Sequence, residues 1–226
     1  MASTILSEYR DLYEAIYYCK LCKEYGYYVE RVQPKWDPSK VHRTTIHRWG
    51  MVIGQAPGKS ELTKRKAFQG RAGGELGKWL LEAGFSEKQI IEQINPQLYK
   101  TSVIKCYPGK HGRNDRKPTK KEIELCAPFL QRQIQLVRQR VLIPMGMAAI
   151  NWFFPEIKRL EEVVGQKRFW HQGSSDYAVI CLPHPSPGSR WLNVKTNREL
   201  LQAALRLLFK LWTTTFRPEP HSKRKG

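Results

Sequence analysis

Trp49-Gly50-Met51-Val52-Ile53-Gly54-Gln55-Ala56-Pro57-Gly58 is the stretch from which the rest of the chain can be read. A short apolar run with β-branched Val52 and Ile53 at its centre predicts a buried strand. Gly54, Pro57 and Gly58 then stop the strand and turn the chain. Three later runs repeat the pattern: Leu98 to Lys105, with Tyr99, Thr101 and Val103 on one face, then Arg140 to Met145, then Tyr177 to Leu182. Helical spacing lies between them. Residues 3–20 carry Leu6, Leu12, Ile16 and Tyr17 as apolar positions, and Glu75 to Ala83 follows a Gly pair. Thr119 to Arg138 opens with the capping box Thr119-Lys120-Lys121-Glu122, residues 146–154 make a short apolar helix, and Val194 to Leu211 carries a Leu stripe. Strands alternating with helices predict an α/β fold, a parallel sheet covered on both faces. Ligands of such sheets sit at the carboxyl ends of the strands. Gln55 to Gly58, Cys106 to Pro108, Gly146 and Pro183 to Gly188 all fall there.

The chain has 226 residues, 41% of them hydrophobic, enough to bury a core and to exclude wholesale disorder. Lys and Arg number 39 against 20 Asp and Glu, a net charge of +19. Such an excess implies a polyanionic partner. The longest mostly apolar stretch, Val141 to Phe154, is broken by Pro144 and Gly146 and is too short to cross a bilayer. Glu8, Arg10 and Asp11 interrupt any secretory h-region. The expectation is an intracellular protein, cytoplasmic or nucleoid-associated, with no membrane partner and nothing that asks for more than a monomer. Residues 1–216 read as one domain and 217–226 (RPEPHSKRKG) as a basic disordered tail. The loop Lys110 to Lys121 (KHGRNDRKPTKK) carries Arg113, Arg116 and Lys117 among its six cations and suits phosphate binding, though a solvated surface loop reads the same way. A few of the aromatic residues, if exposed, have the chemistry to stack on bases.

The five cysteines are odd in number, which argues against a disulfide framework in a chain without a visible secretory signal. Cys19-Lys20-Leu21-Cys22 has the CxxC spacing of a redox pair, but no strand precedes it; the same spacing suits two thiolates on a metal or cluster. Cys106 and Cys126 complete a set of four if the fold brings them near. Cys181, within Val179-Ile180-Cys181-Leu182, reads as a buried core thiol.

Gly54-Gln55-Ala56-Pro57-Gly58-Lys59-Ser60-Glu61 followed by Ala67-Phe68-Gln69-Gly70-Arg71-Ala72-Gly73 resembles the first active-site motif of the iron–sulfur (family 4) uracil-DNA glycosylases. Val103 to Pro108 is similar to the segment carrying that family's third cluster cysteine, and Cys126 to Leu130 to the fourth. Val141 to Ala149 resembles its central strand and turn, and His184-Pro185-Ser186-Pro187-Gly188 its HPS motif. The resemblance runs in order from about Cys19 to the final helix. It implies a three-layer α/β/α sandwich with a central four-stranded parallel sheet. It also implies a structural [4Fe–4S] cluster on Cys19, Cys22, Cys106 and Cys126, with zinc on four thiolates as the alternative.

The resemblance further implies roles for single residues. His184 matches the histidine that donates to the base carbonyl oxygen as charge develops; otherwise it is a strand-end histidine fixed by Pro185. Gln55 and Ala56 match the turn whose backbone faces the base, and Phe68 the aromatic on which the base stacks, unless it is simply core. Glu61 matches an acidic position that orients the motif or a water, or only caps the next segment. Two positions depart from the family. Ser102 stands where an Asn reads the uracil edge, and a hydroxyl cannot match donor and acceptor together. Gln55 stands where the family usually has Glu, and it cannot act as a base. Ser186, Arg190 and Trp191 lie on or after the HPS motif, where glycosylases of this superfamily place a minor-groove loop; an ordinary surface loop reads the same. The implied function is a monofunctional glycosylase acting on DNA that contains uracil or other deaminated bases. The alternative is a non-catalytic iron–sulfur nucleic-acid-binding protein on the same fold.

Overall fold

The computed structural model describes residues 2–37, 39, 47–68, 70–185 and 190–215. Helix α1 (Ala2–Tyr18) leads through α2 (Leu21–Glu24) to a two-residue strand β1 (Glu30–Arg31). Strand β2 (Gly50–Gly54) comes next, then α3 (Lys59–Lys64) and α4 (Arg71–Glu82). Helix α5 (Glu87–Gln89) runs through a π-helical turn (Ile90–Ile94) into α6 (Asn95–Gln97) and β3 (Leu98–Ser102). After β3 come β4 (Cys106–Tyr107) and a small hairpin, β5 (Lys110–His111) and β6 (Asn114–Asp115). The chain closes with α7 (Lys120–Leu136), β7 (Val141–Pro144), α8 (Met147–Phe153), β8 (Lys167–Gln172), β9 (Ser175–Ile180) and α9 (Lys195–Thr215).

The sheet order is β3-β2-β7-β9-β8. The first four strands are parallel, with Gly50 beside both Leu98 and Val141 and Val141 beside Ala178. The core residues of the three inner strands are shut away from water: Val52, Ile53, Leu142, Val179 and Ile180 are all fully buried. Burying such a side chain is worth about 1.5–3 kcal/mol, so the apolar runs that predict the strands also hold the sheet. Helices α1 and α2 pack on α7, and α4 packs on α9. Tyr9 of α1 and Gln133 of α7 reach Tyr99 of β3, while Trp212 of α9 packs edge-on against Trp49. The Thr119–Glu122 capping box forms as expected, each residue bonding the other's backbone N–H.

The expected three-layer α/β/α arrangement is what the chain adopts, with one addition. A fifth strand, β8, pairs antiparallel with β9 through a tight Gly173–Ser174 turn, Gly173 at φ +60°. Its sequence, KRFWHQ, alternates exposed and half-buried residues and carries three basic or ionisable side chains. That is the composition of a protected edge strand rather than of the apolar runs used to find the others.

Candidate active site

A cavity of about 690 Å³ opens at the carboxyl ends of β2, β3 and β7. Its walls come from the Gln55–Ala56 turn after β2, Phe68, the first turn of α4, Thr101 and Ser102 at the end of β3, Met145 to Ala148 after β7, and His184 after β9. This is the rim where a parallel sheet gathers its loops. Lys59, Arg71 and Lys117 stand around it.

His184 is exposed to this space. Its back is set by Gly146, which has φ +83°; a Cβ there would come within 3.0 Å of the His184 Cβ. Only glycine takes that backbone shape without strain. The surrounding protein, and then the Lys117 ammonium, hold the imidazole below its ordinary value of 6.5. It is therefore neutral at pH 7, able to donate one N–H and carry no charge of its own.

Phe68 adopts the left-handed backbone at φ +55°, unusual for a bulky residue. Its ring is only partly buried, and it lies against Gly54 at the end of β2, with Cζ 3.4 Å from where a Cβ would be. The conformation is locked from behind by Gly73, whose added Cβ would fall 1.9 Å from the Phe68 carbonyl oxygen. Glu61 is buried, and its carboxylate accepts from the Gly58 N–H at 3.0 Å and the Gly70 N–H at 2.9 Å. The Ser60 hydroxyl donates to it as well. Glu61 thus pins the turn after β2 to the start of α4, so its oxygens hold the two walls together.

Ser102 lies on the cavity wall, but its hydroxyl donates to the Ile104 carbonyl at 2.6 Å. With that proton committed, the oxygen has only lone pairs left for a ligand. Beside it is Lys105, which the motifs did not single out. Lys105 is buried, and its ammonium donates to Thr101 Oγ1 at 3.0 Å and to the Ser102 carbonyl. Burial brings it down to about 7. Thr101 in turn donates to Gln133, and Gln133 to Tyr99. This buried chain fixes the end of β3 against α7. Its only sequence signal is a lysine inside the otherwise apolar Val103-Ile104-Lys105-Cys106.

The basic loop divides in two. Arg116 is spent on the fold: its guanidinium takes Glu122 with two bonds of 2.7 Å and also donates to the Pro108 and Lys117 carbonyls. All three of its nitrogens are engaged within the protein, while the residue itself also lines the cavity. Glu122 is fully buried; burial pushes its carboxyl up, but Arg116 and the Thr119 N–H and hydroxyl outweigh this and keep it low. Lys117 reaches the cavity, whereas Arg113 is exposed at the hairpin tip, away from its walls. Arg190 is also exposed and apart from the cavity walls. Trp191 is held to the fold by its own contacts. Its indole N–H donates to Glu161 at 2.8 Å and its ring packs partly on the core. Ser186 and the Pro187–Ser189 segment lie outside the described residues, as do Gln69 and the tail from 217.

The four predicted cysteine ligands come together from four segments. Cys19 lies just after α1, Cys22 in α2, Cys106 in β4 and Cys126 in α7. All four line one small cavity with Ile16, Val29, Ile104 and Phe129. The β1–β4 ladder, Arg31 beside Cys106, closes the N-terminal segment onto it. Burial, then the neighbouring thiols, push Cys22 up to about 11 and Cys106 up to about 12. Among the described residues no three or more His, Cys, Asp or Glu form a group set to hold a single metal ion. The thiols surround one small space. Burial makes Cys22, Cys106 and Cys126 reluctant to ionise without a cation, and with Cys19 they make a four-sulfur donor set that fits a thiolate-held cluster. Cys181 is a fully buried core thiol, as expected.

Known proteins share this arrangement of sequence. A family model described as the Uracil DNA glycosylase superfamily matches residues 47–208. A Type-4 uracil-DNA glycosylase of Sulfurisphaera tokodaii is 26% identical over 177 residues, 76% of this chain and 72% of that protein. Another, from Saccharolobus solfataricus, is 30% identical over 145 residues, 63% of this chain and 62% of that protein, so the chain spans a little under two thirds of its length. A Type-5 uracil-DNA glycosylase of Pyrobaculum aerophilum is 25% identical over 220 residues, 88% and 90% of the two chains. With the family match covering well over half of its length, and the turns after β2, β7 and β9 within that match gathered on one cavity, the chain belongs to the uracil-DNA glycosylase superfamily.

Proposed function

We propose that this protein hydrolyses the N-glycosidic bond of uracil or another deaminated base in DNA and leaves an abasic site. The observation that carries the reading is the cavity at the strand ends, with a neutral imidazole on one wall and an aromatic ring on another. The Type-4 names of its relatives support uracil as a substrate. As the bond lengthens, positive charge grows on the sugar and negative charge on the base. The extruded base stacks on Phe68, and His184 donates an N–H to a base carbonyl oxygen as it becomes anionic. Neither Gln55 nor the fully bonded Glu61 is needed to activate water, since a dissociative cleavage asks little of its nucleophile. The water's proton goes to solvent and the departing base anion is protonated there. Glu61 acts by position, holding the Gln55–Ala56 turn and the start of α4 at a fixed separation.

Ser102 makes the site less selective than an amide would. With its proton held by Ile104, it accepts one hydrogen bond and donates none, so it reads a ring N–H but not the carbonyl beside it. Uracil, hypoxanthine and xanthine all present such an N–H. The expected result is base release from more than one of them, tested with oligonucleotides carrying each lesion. His184→Ala should slow release by about 10²–10³-fold, the usual loss for one oxyanion donor. Release of no base by folded protein would sink the assignment.

We further infer that Cys19, Cys22, Cys106 and Cys126 hold a [4Fe–4S] cluster. Such a group would supply a structural tie between the N-terminal segment, β4 and α7 and no chemistry to the cleavage. Analysis of the purified protein should give iron and acid-labile sulfide; one zinc and no sulfide would replace the cluster with a single ion.

A further inference from the structure

The segment between Cys22 and β1 leaves large rings in solvent. Tyr25 is 58% exposed and Tyr28 64%. One exposed tyrosine needs no explanation; these two are set in a particular way. The turn that bears them is fixed, with the Tyr25 N–H donating to the Leu21 carbonyl and the Tyr27 N–H to the Cys22 carbonyl. Tyr28 rests against Gly109 at the root of the basic hairpin, and its hydroxyl donates to Glu30 at 2.6 Å. Tyr25 carries the Lys121 ammonium 4.9 Å from its ring centre, at the start of α7. The hairpin and α7 are joined by the short link that holds Lys117, one of the lysines on the cavity wall. Arg116 locks that link to Pro108 and Glu122. The two rings therefore flank the connection that forms one side of the cavity mouth.

We propose that Tyr25 and Tyr28 form a stacking platform for unpaired bases of single-stranded DNA running past the cavity. Over residues 23–30 and 110–124 seven cations, Lys23, Lys110, Arg113, Arg116, Lys117, Lys120 and Lys121, face five acids, Glu24, Glu30, Asp115, Glu122 and Glu124, an excess that suits a phosphate backbone. A ring can stack only on a base that is out of its duplex, so the platform distinguishes single strands from duplexes where the lysines alone do not. A protein partner would gain little from so many lysines around two rings. The inference deepens the DNA-repair reading, on which its choice of DNA rests, but its test needs no base release.

The test uses the full chain with its cysteine-bound group and fluorescence anisotropy with a uracil-free oligothymidylate and a uracil-free duplex of equal length. The double variant Tyr25→Leu/Tyr28→Leu should bind the single strand at least about 25-fold more weakly, about five-fold or more for each lost stack. Its duplex affinity should stay within about two-fold, and the salt slope should not change. Tyr25→Trp/Tyr28→Trp should bind the single strand as well as the parent or better, which separates stacking from any damage to the fold. Unchanged single-strand affinity in the Leu variant, equal losses on both DNAs, or failure of the Trp variant to restore binding would each overturn the platform. Since neither DNA carries a lesion, an inactive protein that still binds through these tyrosines would sink only the glycosylase reading.

Discussion

Lys117 and His184 come from distant parts of the sequence, and their meeting adds to the effect of burial on the imidazole. Both burial and the lysine charge lower the His184 pKa. A histidine that resists protonation in the folded state favours unfolding as pH falls below its unfolded value of about 6.5, where the unfolded chain binds the proton more readily. Removing the lysine weakens that penalty. In an NMR titration His184 should show a midpoint below 6.5, and Lys117→Ala should move it upward; a midpoint above 6.5 in the parent would contradict the arrangement. Single residues also show where sequence reading stops. Ser102 was legible as a departure from the family's Asn, but the loss of its proton to Ile104 was not, because that bond depends on the bend of the chain after β3.

At the scale of elements, two glycines in one helix should behave oppositely. Gly73 and Gly74 are neighbours in α4, but a Cβ on Gly73 would strike the Phe68 carbonyl at 1.9 Å, while one on Gly74 meets nothing within 4 Å. Gly73→Ala should lose about 1–3 kcal/mol of stability by overpacking and slow catalysis through Phe68. Gly74→Ala should gain about 0.5–1 kcal/mol as a better helix former. Thermal melts of the pair check this. The hairpin–α7 junction rests on Arg116 and Glu122. Glu122→Gln leaves the guanidinium without its charge partner and should cost about 3 kcal/mol. Because the folded Glu122 pKa lies below its ordinary 4.5, the stability it contributes is complete above that value and is lost as pH falls through the folded one. Denaturation from pH 7 downward should show a flatter acid limb in the variant. The Thr119–Glu122 capping signal marked the start of α7, but nothing local indicated that Arg116 would take the same carboxylate.

For the whole molecule the dominant fact is the charge of +19. Binding to lesion-free DNA should weaken steeply with salt, with a log–log slope of about −0.9 per phosphate neutralised on a duplex. A slope near zero would leave the charge excess without a partner. No helix among the described residues is long and apolar enough to cross a membrane.

What the sequence determined alone was local: four apolar runs of strand length, the helices between them, and the glycine and proline turns that end each strand. Those patterns arise from periodicity and backbone preference, which neighbouring residues carry themselves. The resemblance added which of those turns to gather into one site. Only the tertiary structure decided how the side chains are used. It gave Arg116 to Glu122, Trp191 to Glu161 and the Ser102 proton to Ile104, and it laid the charged strand β8 on the sheet edge. Each is a choice among polar partners, and such partners are set by which groups lose water together when distant segments pack, a quantity that no single segment contains.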